Sequence, residues 1–272
     1  MNQKLLSKPA LAMLQPTALP GTYKNKGEKI DQIIEKAIDE AEMIKENNFD
    51  GLIIQNMNDM PIKQFSNFQT VAYMTQITAE IKRKFPELLL GVLINWDGVA
   101  SLAVADAVGA DFIRVEHLYT GVNVTSAGML QGQCTDIIDL KMKIGSNVPI
   151  FADVYEVHGV PLGRKTYGDA AWEIVNEAFA DGIFTSGKTV EESIEIAKEI
   201  KARNLQVPVY LGGGATGDNV AKLMEYYDGV SVATWIKDGN MANDINPEKA
   251  KKFIHEVKKG VWLPIKGIDY ES

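Results

Sequence analysis

Eight short apolar runs recur along the chain about every 20 to 40 residues: PALAML, DGLIIQN, LLLGVLIN, DFIRVE, VPIFADV, DGIFTSG, VPVYLGGG and DGVSVAT. Runs this continuous read as strands buried on both faces, the habit of parallel sheets. Most gaps between them carry a helical period. Ile30, Ile33, Ile34, Ala37, Ile38, Ala41 and Ile44 follow i, i+3, i+4, i+7 spacing with charged residues opposite, which predicts an amphipathic helix. The same period predicts helices near 68–84, 98–108, 132–144, 168–180, 190–203, 218–227 and 247–258. Eight strand–helix beats in 272 residues predict an α/β fold, a (β/α)8 TIM barrel, as one domain over 1–272.

That fold gathers its chemistry at the C-terminal ends of its strands. The run ends therefore matter, and they read Gln15, Asn56, Asn95, Glu116, Asp153, Ser186, Gly212 and Thr234. Two long segments on that side, 57–66 and 117–131, are expected to be lids or substrate walls. The tail about 260–272 is apolar at Val261, Trp262, Leu263 and Ile265. It is expected to pack on the barrel or on a partner subunit, and so to suit a homo-oligomer.

A net charge of −8 with no clustered Lys/Arg surface argues against a nucleic-acid partner. The single cysteine, Cys134, rules out a disulfide within the chain and suits a reducing compartment. No signal-peptide h-region opens the chain, and no apolar run approaches the ~20 residues of a membrane span. A cytoplasmic protein is the expectation. No zinc cluster or cofactor motif stands out, although acids at a barrel mouth would also suit a divalent ion such as Mg²⁺.

The strongest local motif is Gly212-Gly213-Gly214 after a strand, with a helix expected near Asp218. Glycine amides and a helix start favour an anion, and loops after strands 7 and 8 of such barrels often hold phosphate. Gly212, Gly213, Gly214, Ala233 and Thr234 are the expected phosphate residues; a tight corner is the plainer alternative. Residues 182–189, GIFTSGKT, match the Walker A pattern, but the first glycine opens a strand instead of following one, so an ATP loop is rejected.

Asp153 and Glu116 close apolar strands and would point into the mouth as proton-transfer groups; for Asp153 an ion pair with Arg114 is the alternative. His158, five residues past Asp153, is the best-placed histidine for proton transfer. His117 could face the same cavity, and His255 is expected at the surface. Asn56 and Asn95 suit sugar hydroxyls, with Arg114 a further substrate contact. Asp59 and Asp97 could cap turns or helices instead. Cys134 reads as a buried thiol.

Leu19-Pro20-Gly21, DGLIIQNMNDMP, GVLINWDG, ADFIRVE, TSAGMLQGQ, ADVYEVHGVPL, LGGGATGDNV and DGVSVATWIKDG together resemble the BtpA/SgcQ family over about residues 9 to 257. The resemblance implies a barrel similar to phosphate-binding barrels such as phosphoribosylanthranilate isomerase. It also implies one of two settings: sugar-phosphate or nucleosidase-type chemistry, or photosystem I biogenesis. The departures from the family pattern cluster at the reacting end. Gln15 stands where a histidine is usual, Gln55 replaces an acid, Glu116 an asparagine and Val157 a lysine. The expected function is an enzyme (hydrolase, lyase or isomerase) on a phosphorylated sugar or nucleoside. The alternatives are an assembly factor for a membrane protein complex and a phosphate-ligand sensor.

Overall fold

A computed structural model describes residues 1–261. All eight apolar runs are strands of one closed parallel barrel. In chain order these are β1 (Ala10–Leu14), β2 (Gly51–Gln55), β3 (Leu89–Leu93), β4 (Phe112–Val115), β7 (Ile150–Asp153), β9 (Gly182–Thr185), β10 (Val209–Leu211) and β11 (Gly229–Val232). The segment after β4 forms a hairpin, β5 (Val122–Thr125) and β6 (Gly128–Gln131). The segment after β7 adds β8 (Val160–Pro161). The helices are α1 (Ile30–Glu46), α2 (Phe68–Lys84), α3 (Gly98–Val108), α4 (Cys134–Ile144), α5 (Tyr167–Asn176), α6 (Val190–Lys201), α7 (Val220–Leu223) and α8 (Pro247–Val261).

Two helices are shorter than their periodicity predicts. α5 stops where Phe179 turns left-handed at φ 59° and the Ala180 amide reaches back to the Ile174 carbonyl. α7 is one turn: Asn219 spends its side chain on the Thr216 amide and the Gly214 carbonyl, and the Tyr226 amide takes the Leu223 carbonyl three residues back. The expected C-terminal packing of 260–272 falls, from Trp262 onward, outside the described residues.

Alternation along each strand divides the core in two. Leu11, Ile53, Leu89, Phe112, Phe151, Phe184 and Tyr210 fill the barrel interior, closed from below by Leu5 on an N-terminal 3₁₀ turn. Ala12, Ile54, Leu90, Ile113, Ala152, Ile183, Leu211 and Val230 face the helices. The interior rings need room, and Gly182 supplies some of it. A Cβ there would lie 2.3 Å from the Phe151 ring. Gly182→Ala should therefore destabilise the barrel by about 1–3 kcal/mol through overpacking, read as a lowered urea midpoint. An unchanged midpoint would mean that the ring layer gives way freely.

The bottom of the barrel carries a fourfold device. Asp50, Asp111, Asp181 and Asp228 each stand immediately before a strand. Each takes an amide from the start of the preceding strand on its carboxylate, the first in three cases and the second in β3: Ala10 at 2.8 Å, Leu90 at 3.0 Å, Ile150 at 2.9 Å and Val209 at 3.0 Å. Each returns its own amide to the carbonyl of that same residue. Strands are thus clasped in the pairs β1/β2, β3/β4, β7/β9 and β10/β11.

At the other end, β6, β5 and β8 form a three-stranded antiparallel sheet beside the mouth. It joins the two segments that follow β4 and β7. Gln64 extends its edge, donating to the Gln131 carbonyl and accepting from the Gln131 amide.

Candidate active site at the barrel mouth

Strand parity decides which residues face the mouth, and it selects Gln15, Gln55, Asn95, Glu116, Asp153, Ser186, Gly212 and Ala233. They line a cavity of about 350 Å³ together with Arg114, Glu156 and His158. Arg114 and Asp153 are both buried and joined as a fork: Nε to Oδ2 at 2.8 Å and Nη2 to Oδ1 at 2.7 Å. The guanidinium also lies over the Phe184 ring, 4.4 Å from its centroid. Gly212 leaves the pair its space, since a Cβ there would come within 3.0 Å of Arg114 Nη2. The ion-pair alternative for Asp153 is therefore the observed one, and both its oxygens are committed.

That leaves two buried carboxyls facing one cation already in use. Burial, and then the Asp153 charge, push Glu116 well above the usual carboxylate range, against a smaller opposing pull from Arg114. Glu156 lies in the segment after β7, and neither of its oxygens has a hydrogen bond of ordinary geometry among the described residues. Burial raises its pKa too, opposed by the nearby His158. Both groups are thus biased toward the neutral acid, which donates a proton or hydrogen bond. Sequence reading missed Glu156, because strand parity lapses in a loop. His158 sits exposed on the rim beside it.

The amides lie on the opposite wall. Gln15 Nε2 is 3.5 Å from Gln55 Oε1, Gln55 Nε2 is 3.2 Å from Asn95 Oδ1, and Asn95 Nδ2 donates to the Asn56 carbonyl at 2.9 Å. Asn95 thus lines the cavity. The Asn56 side chain does not; parity turns it outward, where it donates to Asp59 at 3.0 Å. Asp59 in turn holds the Leu19 amide, and Asp97 caps α3 through the Ala100 amide, so both serve as local fasteners. His117 is buried behind the wall, 3.3 Å from Asn123, and desolvation lowers its pKa to about 4, so it is neutral at pH 7. His255 is exposed and Cys134 buried, as expected.

The glycine loop adjoins a further hollow of about 470 Å³, reaching from Gly212–Gly214 to Thr234, Trp235 and Lys249. Met13, Gly212, Gly213, Gly214 and Ala233 line both hollows, so the two adjoin across the glycine loop. The Gly212 amide is spent on the Thr185 carbonyl at 2.9 Å. The amides of Gly213, Gly214 and Ala215 donate to no partner among the described residues. Ala233 and Thr234 open a 3₁₀ turn, Thr234–Lys237, at the same hollow. Lys249 supplies a cation there, held 2.7 Å from Asp238. Lys188 of the Walker-like stretch lines neither hollow; it follows β9 on an exposed corner whose Thr189 caps α6. Among the described residues no group of three or more His, Cys, Asp or Glu side chains is placed to hold a metal ion. No described helix is long and apolar enough to cross a membrane.

Comparison with known proteins places the chain in a family. The model of the BtpA family matches residues 6–259. The chain belongs to the BtpA family. An uncharacterized protein of Thermococcus kodakarensis is 34% identical over 255 residues, covering 93% of this chain and 96% of the relative. Within the same family, the photosystem I biogenesis protein BtpA of Synechocystis is 32% identical over 261 residues, covering 93% of this chain and 89% of that protein. The barrel is similar to the solved structure of 3-hexulose-6-phosphate synthase from Salmonella typhimurium, with TM-score 0.58 at 15% identity, covering 93% and 99% of the two chains. That likeness is one of fold.

Proposed function

We propose that this BtpA-family barrel is an enzyme acting on a phosphorylated sugar or nucleoside. The carrying observation is the adjacency of two unlike hollows: one holds Lys249 and amides without a partner among the described residues, the other two buried carboxyls without one. In this reading the amides of Gly213, Gly214 and Ala215, with Ala233, Thr234 and Lys249, hold the phosphate. Asn95 and Gln55 take sugar hydroxyls. Arg114, fixed by Asp153, offers its remaining N–H groups to an oxygen of the substrate. Glu116 and Glu156 move the proton, with His158 as the exchange point to solvent. Such an arrangement suits cleavage at a sugar carbon, where the leaving oxygen is protonated, or isomerisation, where a carbonyl or ring oxygen is protonated. The solved barrel named above, a 3-hexulose-6-phosphate synthase, lends support through its substrate class.

A thermal-shift screen against sugar phosphates, nucleotides and inorganic phosphate tests this. A ligand at 100-fold its Kd should add roughly 2.7 kcal/mol of stability, and Lys249→Ala should shrink that gain. The second reading, an assembly factor, is favoured by one observation besides the name of the Synechocystis relative. Val124, Met129 and Val160, aligned across β5, β6 and β8, are all exposed, leaving an apolar sheet face in solvent. No stabilisation by any phosphate would favour that reading.

A further inference from the structure

Beside the mouth lies a larger hollow of about 1150 Å³, walled by the segment after β1, by α1 and by the segment after the 3₁₀ turn Thr234–Lys237. Gln15 and Met241 line both spaces and form the partition between them, with Gln15 Nε2 3.2 Å from Met241 Sδ. Gln15 is buried, and its Oε1 has no hydrogen-bond partner among the described residues.

Lys237 lines this hollow. It is only 1% exposed, and its ammonium lies 2.5 Å from Glu40. Burial raises the Glu40 pKa, opposed by the Lys237 charge. A buried ion pair contributes little to stability once desolvation is counted, and an ammonium has three donors to place. On a cavity wall, the pair presents donors and an acceptor side by side. Four lysines and four carboxylates line the hollow, so its charge balances. At its rim Tyr23 stands 87% exposed, an aromatic face without cover.

We propose that this hollow is a distal subsite of the mouth, reached past Gln15 and Met241. It receives a neutral ring bearing both hydrogen-bond donors and acceptors, attached to the phosphorylated sugar. A balanced lining does not select an ion, the Glu40–Lys237 pair reads donors and acceptors together, and Tyr23 offers a stacking surface. A heterocyclic base and a second sugar share this chemistry. The inference rests on the phosphate reading of the mouth and deepens it.

Calorimetry would compare ribose 5-phosphate, a nucleoside 5′-monophosphate and a disaccharide phosphate on the full chain. At least one of the longer ligands should bind about tenfold or more tightly than ribose 5-phosphate. A gain confined to the nucleotide identifies a base, and a gain confined to the disaccharide identifies a sugar. The double replacement Glu40→Leu/Lys237→Met should erase that gain while leaving ribose 5-phosphate binding unchanged. Tyr23→Ala, at an exposed site that does not endanger folding, should reduce it. Longer ligands binding no better than ribose 5-phosphate would overturn the subsite while sparing the phosphate reading. Replacements that weaken all three ligands alike would do the same. If ribose 5-phosphate itself fails to bind, the phosphate reading falls and the subsite with it.

Discussion

Arg114→Met should destabilise the barrel by about 3–5 kcal/mol, one of the largest losses available from a single side chain. The cause is not the strength of the Arg114–Asp153 attraction. Removing the guanidinium strands a buried carboxylate among Glu116 and Glu156, with no other lysine or arginine lining the cavity among the described residues. Replacing both partners, as Arg114→Met/Asp153→Leu, removes the stranded charge and should recover much of the loss. Urea unfolding of the three chains checks the cycle. A single replacement costing under ~1 kcal/mol would place the pair among solvated surface bridges and remove the basis for a rigid guanidinium.

Glu116→Gln should lower turnover of the identified substrate by about 10²–10⁴-fold, the usual worth of a positioned proton donor. The same change carries a signature independent of substrate. Glu116 has its folded pKa raised by burial and by Asp153. A carboxyl raised on folding contributes stability that is complete below its unfolded value of about 4.3 and is lost as pH rises through its higher folded value. The parent chain should therefore lose stability across that window. The glutamine variant, which cannot ionise, should follow a flatter curve and gain on the parent as pH rises. Parallel curves would show that Glu116 is solvated and not biased toward the acid.

The barrel itself was legible because its signal is periodic. Continuous runs such as DGLIIQN leave strands no solvent face, and the eight runs coincide with the eight barrel strands. The site was legible in part. Glu116, Asp153, Asn95 and the glycine loop sit where strand ends must put them. Asn56 did not, because a run end read from polarity is one residue off the inward parity that Gln55 keeps. Glu156 and Lys249 were hidden for a different reason. Glu156 follows β7 in a loop, where parity no longer fixes direction, and Lys249 sits on α8, which only the folded chain brings beside the glycine loop. The hairpin β5/β6 and strand β8 stayed hidden because their outer face is apolar and their pairing crosses from one loop to another.

The aspartate that opens every second apolar run was equally plain in the chain, and its role needed the neighbouring strand to be seen. Each carboxylate clasp closes within one strand pair, and the step from β2 to β3 at this end is made by backbone alone, the Leu89 amide donating to the Asp50 carbonyl. The barrel is in this sense four copies of one fastened module, with the fastening written into the module itself. A gene encoding a single pair could be duplicated without inventing a new closure each time, because every copy would bring its own. The polar mouth lies at the opposite end of the same strands, so side chains there can change in chemistry without loosening the base.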